Sequence, residues 1–289
     1  MILPFVRDLL LELERHGSFQ PISTICRAGR AEKLQLSGLV PTARALYTVL
    51  LYHAASRPVL FLVESNRQAE ALADAVETFY RMLFTDRRAG PLVLPALDSL
   101  PYEGLAPHPE ISEKRAIALW RLAARGAAAA PIVIAPIAAA LMKIHSPEFY
   151  RGLACQLTRG EEMPLDLLLS ELERICYQRQ EPVEMVGQYS LRGGILDVYS
   201  PEARRPVRLE LFGDEVESIR EFDLNTQRSV GPIGSTLLLP LTEFPLRRDL
   251  LAQLSARTNG SETAIFAPGE PFAGWEYLVP LVTPLSHTM

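Results

Sequence analysis

Lysine is almost missing from this sequence: Lys33, Lys114 and Lys143 are its only three. None stands at the end of a G-x-x-x-x-G-K-[ST] loop, so the ammonium that such a loop extends to the β- and γ-phosphates of a nucleotide is lacking. Cysteine is equally scarce. Cys26, Cys155 and Cys176 are odd in number, widely spaced and without a C-x-x-C pair. That excludes a disulfide framework and reads as indifferent thiols in a reducing compartment. A basic surplus is absent too, since 29 Lys+Arg against 34 Asp+Glu give a net charge of -5. This argues against a free-standing nucleic-acid binder and leaves room only for a local basic patch. No apolar run reaches the roughly 18–20 residues needed to span a bilayer. Near the N-terminus Phe5, Val6, Leu9, Leu10 and Leu13 recur at helical spacing, but Asp8, Glu12 and Glu14 interrupt them, which excludes a signal peptide. The histidines (His16, His53, His108, His145, His287) show no metal-ligand spacing, and no Ser/His/Asp or Cys/His grouping emerges. The expectation is a soluble cytoplasmic protein with no catalytic residue, no metal and no cofactor.

What is present begins with a phosphate-loop-like stretch, S-G-L-V-P-T-A-R-A-L, from Ser37 to Leu46. Gly38 keeps the first glycine, while Ala43, Arg44 and Ala45 fill the places of the second glycine, the lysine and the hydroxyl residue. Ala43 adds a Cβ where backbone must approach a ligand, and Ala45 has no oxygen for Mg²⁺. Arg44 keeps a charge, but a planar fork does not replace a flexible ammonium. From these residues alone, an ordinary helix start after a glycine stands as the competing reading. The context favours a relic: the apolar run Leu34 and Leu36 precedes the loop, a helix-like stretch runs from Thr42 to Ala55, and a strand follows at Val59–Val63, the strand–loop–helix–strand setting the motif needs.

Hydrophobic content of 48% and 22% charged residues are those of a folded chain, and 289 residues suffice for two domains or one with an insertion. From Pro58 to about Met142 strands and helices alternate. Strand Val59–Val63 precedes a helix from Asn66 to about Phe84, then come a short strand Pro91–Leu97, a helix starting at Ser112 as N-cap, and a strand at 131–135. Apolar strands between amphipathic helices predict a parallel sheet covered on both faces. Past Ser146-Pro147 the character changes. A helix Pro164–Tyr177 is followed by strands Val183–Leu191, Ile195–Tyr199, Val207–Phe212 and Val216–Phe222, with Gly213-Asp214 as a tight turn. The alternation of Val207, Leu209 and Leu211 with Arg208, Glu210 and Phe212 marks a half-buried antiparallel sheet. From Leu237 the α/β style returns, with Leu237–Pro240 strand-like, Arg247–Arg257 helical, and strand candidates at Thr263–Ala267 and Tyr277–Val282. The predicted architecture is α/β: a degenerate P-loop-like parallel-sheet domain over residues 1–145 and 237–289, interrupted by a small α+β antiparallel domain at 146–236.

The most specific segment runs from Gly187 to Pro201, G-Q-Y-S-L-R-G-G-I-L-D-V-Y-S-P, with R-L-E-L-F-G-D-E from Arg208 to Glu215 and Phe222-Asp223 downstream. Together these resemble the second domain shared by the excision-repair protein UvrB and the transcription-repair coupling factors (Mfd). Further matches lie at Leu100–Glu103, His108–Glu110, Ser229–Gly231, Leu239-Pro240 and Glu243–Pro245, so the resemblance covers nearly the whole chain. The missing P-loop departs from UvrB. So does the interval from Pro95 to Arg115, where Tyr102 is the sole aromatic and which is too short for UvrB's damage-clamping hairpin. Both departures point to the N-terminal UvrB-like module of the coupling-factor family, whose ATP-dependent translocase motor and RNA-polymerase-binding module would lie beyond Met289.

The resemblance implies a docking function, with UvrA as partner and ATP and damage binding lost. RNA polymerase would be met only through parts absent here, with weak or no contact to DNA and none to a membrane. The UvrA-contacting positions map onto Arg179 and Arg192, with Tyr189 adjacent; Ser190 falls where UvrB has another arginine, which reduces the implied set. Read without the family, Arg192 is better taken as a solvated strand arginine, or as the partner of Asp197 or Glu184, than as a docking residue. Gly193-Gly194 reads as a bulge or sharp bend that aims Arg192 outward. The alternative function is a UvrB-like, ATP-dependent enzyme that handles damaged DNA.

Overall fold

The computed structural model describes residues 4–29, 32–84, 90–125, 132–258 and 266–288. Two compact units emerge, one from residues 1–96 with 121–143 and the C-terminal pair 288–289, the other from 97–120 with 144–287.

The first unit opens with α1 (Pro4–Glu14), α2 (Gln20–Ala28) and α3 (Pro41–Ala55), followed by β1 (Val59–Val63), α4 (Asn66–Leu83) and β2 (Leu92–Val93). Helix α5 (Pro109–Arg125) contributes its last residues here, before β3 (Ile132–Pro136) and the short α6 (Ile137–Leu141). The three strands form a parallel sheet in the order β1-β3-β2. Helix α4 starts where the sequence signals it: the Ser65 hydroxyl accepts from the Gln68 backbone N–H at 3.3 Å, while Gln68 Oε1 accepts from the Glu64 N–H at 3.2 Å, satisfying orphan donors at both ends of the turn. Asn66 then locks the loop after β2 by a two-way bond to the Ala96 backbone, at 2.8 and 2.9 Å.

Three expectations for the α/β part of the chain need correction. Leu34 and Leu36 form no strand, so the segment before α3 lacks the element that a phosphate loop follows. Helix α5 begins at Pro109 rather than Ser112, because proline's fixed φ and missing N–H suit a first helical position. The sheet is also not covered evenly. Strand β3 is buried throughout, yet Leu60 and Leu62 of β1 are each 46% exposed.

The second unit is built on a six-stranded sheet in the order β10-β9-β8-β7-β6-β5. After α7 (Pro147–Arg151), β4 (Cys155–Thr158) and α8 (Leu165–Arg174) come β5 (Gln178–Arg179), β6 (Gln188–Arg192), β7 (Ile195–Val198), β8 (Val207–Phe212), β9 (Glu215–Phe222) and β10 (Ser229–Pro232). Strand β11 (Ser235–Leu238) pairs antiparallel with β4, so the run expected at Leu237–Pro240 joins this unit and not the parallel sheet. The β8–β9 hairpin turns at Gly213-Asp214 as its dipeptide predicts, with Gly213 at φ +60. Period-2 alternation places Tyr189, Leu196, Val198, Val207, Leu209 and Val216 in one core, on which α8 lays Leu168 and Leu172. The strand expected from Val183 starts only at Gln188, after the left-handed Gly187 at φ +82.

Beyond α9 (Arg248–Thr258), Trp275–Leu278 form a 3-10 turn that runs into α10 (Val279–Val282). The expected strand Tyr277–Val282 is therefore helical: Trp275 and Val279, four residues apart, share a buried cluster with Leu250, Leu251 and Leu254. Residues 263–265 of the other expected strand lie outside the described residues. Among the described residues no helix is long and apolar enough to cross a membrane.

Candidate functional site

The phosphate-loop-like stretch comes first, because its geometry decides what it can hold. Gly38 takes φ +76, the left-handed conformation that favours glycine. Helix α3 then starts at Pro41, without a side-chain cap. Arg44 turns back, its Nε donating to the Leu39 carbonyl at 3.1 Å. Ala45, at the place of the metal-holding hydroxyl, is fully buried in the core with Val49, Leu50 and Ala69. The four positions therefore share a helix start, but nothing among them presents an oxygen to a metal. No group of metal-ligating side chains occurs among the described residues.

The second set lies on the sheet edge formed by β5 and β6. Strand β5 pairs parallel with β6, placing Arg179 level with Tyr189. Since paired residues share a side and successive residues along a strand do not, Arg179 stands on the α8 side of the sheet. Arg192, three residues past Tyr189, stands on the other. Both arginines are exposed. Tyr189 is not: only 3% exposed, its ring belongs to the core and its hydroxyl donates to Glu173 Oε1 at 3.3 Å. Burial, then the Glu173 charge, pushes its phenol up. The residue expected beside the arginines as a contact is thus a core residue next to Arg179.

Arg192 is held from below by a group that the sequence named only as one option. Asp197, opposite Ser190 across β6–β7, is 2% exposed. Its carboxylate accepts two bonds from Arg208, Nε to Oδ1 at 2.6 Å and Nη2 to Oδ2 at 2.7 Å, and a third from Arg192 Nη2 at 3.2 Å. Arg208 is itself fixed, its guanidinium 5.0 Å from the centroid of the Phe222 ring. The bonds to Asp197 hold its guanidinium above its ordinary value. On its other side Arg192 approaches Glu181, Nε to Oε1 at 3.8 Å, with both side chains about half exposed. Glu184, the other expected partner, instead uses its backbone N–H to bond Gln188 Oε1 at 2.9 Å. Ser190 is buried at 2% and its Oγ has no hydrogen-bond partner among the described residues.

Gly193-Gly194 makes the two-residue turn of the β6–β7 hairpin and not a bulge, with Gly193 at φ +60. A Cβ on Gly194 would stand 2.9 Å from the Leu211 carbonyl oxygen. Gly194→Ala is therefore expected to cost about 1–3 kcal/mol of stability, read by chemical denaturation.

A cavity of about 550 Å³ borders α8, lined in part by Glu173, Arg174, Arg247 and Arg248. Arg174 is bonded to Glu171 and Arg247 to Asp249, so most of its positive charge is neutralised internally. No catalytic assembly of nucleophile, base and orienter forms in it.

Residues 155–244, which include the whole basic edge, match the family described as the UvrB interaction domain. The chain is 30% identical over 252 residues to the transcription-repair-coupling factor of Bacillus subtilis, an alignment covering 87% of this chain and 21% of that protein. The Mycobacterium bovis protein of the same name is 30% identical over 279 residues, 90% of this chain and 22% of that protein. The Escherichia coli one is 28% identical over 216 residues, 74% and 18% respectively. The chain thus spans about one fifth of the length of the curated relatives it matches. The chain is thus similar over most of its length to a stretch of the transcription-repair-coupling factors, and within that stretch residues 155–244 match the UvrB interaction domain.

Proposed function

We propose that this chain is a non-catalytic docking module that recruits UvrA for nucleotide excision repair coupled to transcription, working in the cytoplasm. One observation carries the reading: inside the matched interaction domain, two exposed arginines flank one sheet edge, and one of them, Arg192, is oriented by the buried Asp197. Arginine suits such a role because it joins contact area to a fixed fork of donors. Contact with a stalled RNA polymerase would run through parts of the coupling factors outside the matched stretch. The first unit serves as inert support, its nucleotide site lost.

Burial of Ala45 and the Arg44–Leu39 bond support that loss. Titrating ATP with Mg²⁺ into the chain is expected to give no heat of binding. Saturable heat would favour the UvrB-like enzyme instead, which should also bind DNA with an affinity that falls steeply with salt. The docking reading itself is tested by titrating purified UvrA against the chain; saturable binding is expected, and its absence would sink the proposal.

A further inference from the structure

Arg192 is gripped unequally on its two sides. Asp197, nearly inaccessible to water, takes one Nη2 proton at 3.2 Å and is anchored by the two bonds from Arg208. Glu181 faces Nε at 3.8 Å, beyond hydrogen-bond length, and 58% of its side chain is open to solvent. Nη1 has no hydrogen-bond partner among the described residues. The guanidinium is thus oriented by a buried carboxylate and only loosely occupied by an exposed one.

We infer that Glu181 is an internal stand-in for a partner carboxylate, an Asp or Glu side chain that displaces it from Arg192, and that Asp197 with Arg208 is the clamp that aims the guanidinium at that group. The inference rests on the docking reading and adds the chemistry of the contact. Three physical points support it. An ordered arginine forfeits less rotamer entropy on binding than a free one, so the clamp pre-organises the contact. A carboxylate that reaches Nε and Nη1 at hydrogen-bond distance, away from water, outcompetes a solvated one at 3.8 Å. And Arg208 already satisfies Asp197 through two bonds, so Arg192 can shift slightly toward a partner without leaving a bare buried charge.

The test is a titration of purified UvrA against the chain and four single variants, each checked by thermal melting. Glu181→Gln removes the competitor from the surface without disturbing the core. It is expected to tighten binding about threefold with an unchanged melting temperature. Arg192→Lys keeps the charge but loses the fork, and is expected to weaken binding nearly as much as Arg192→Ala. Asp197→Asn should weaken it at least about tenfold. If Asp197→Asn fails to fold, Glu181→Gln decides alone. Unchanged or weaker binding by Glu181→Gln, while Arg192→Ala still weakens binding, would overturn the stand-in and leave the docking reading intact. Binding unaffected by Arg192→Ala would overturn both.

Discussion

Replacing Arg179 and Arg192 together by Ala should lower UvrA affinity by roughly a thousandfold, on the premise that each is an interface anchor worth about 2 kcal/mol. The two effects should add, because the side chains stand on opposite sides of the sheet and share no bonded partner among the described residues. Their placement adds a geometric condition: a partner that uses both must straddle the edge of the sheet. Single variants then report separately on the two sides of that saddle. Neither arginine is buried, so thermal melting should shift little. A pull-down by UvrA that survives the double change would remove the site.

The largest loss of stability is expected at a place with no contact to that edge. Arg115 is completely buried and Glu243 is 2% exposed. They meet through Arg115 Nε to Oε1 at 2.5 Å and Nη2 to Oε2 at 3.2 Å. Breaking such a pair takes the carboxylate away from a guanidinium in a dry site, which costs about 3–5 kcal/mol. Glu243→Ala should therefore lower the melting temperature by roughly 10 °C. Arg115→Met together with Glu243→Leu should recover most of that, since an apolar pair of similar volume carries no desolvation cost. If the single variant melts like the parent, the pair is not what joins α5 to the segment after β11. UvrA binding by the folded fraction should stay unchanged in either variant.

Much of this was legible from pattern. Strand Val59–Val63 and the strand Val207–Phe212 have the bounds that their apolar rhythm predicts, and the Gly213-Asp214 turn follows from its dipeptide. The failures share a cause, since each depends on partners far away in sequence. Tyr277–Val282 reads equally as strand or helix when short and apolar, and only the cluster around Leu254 decides. The Arg115–Glu243 pair joins residues 128 apart, and neither has a local signal. Tyr189 sits in a motif that suggests contact, yet strand alternation already assigns it to the side of Leu191 and hence to the core. That signal was available. Asp197 was named as one candidate partner of Arg192, but its role as a shared anchor needed the bonds from Arg208. Glu181, in a loop, carried no sequence signal.

Both margins of the six-stranded sheet are short and run into proline: β5 has two residues with Pro182 soon after, and β10 closes on Pro232. A proline has no amide proton to offer an incoming strand. The sheet is therefore poorly suited to recruiting a neighbour through its main chain, and unlikely companions, including other copies of itself, find no template there. If the proposed docking holds, recognition falls to the side chains that overhang the margin, and the choice of partner is open to adjustment by single charge changes without rebuilding the scaffold.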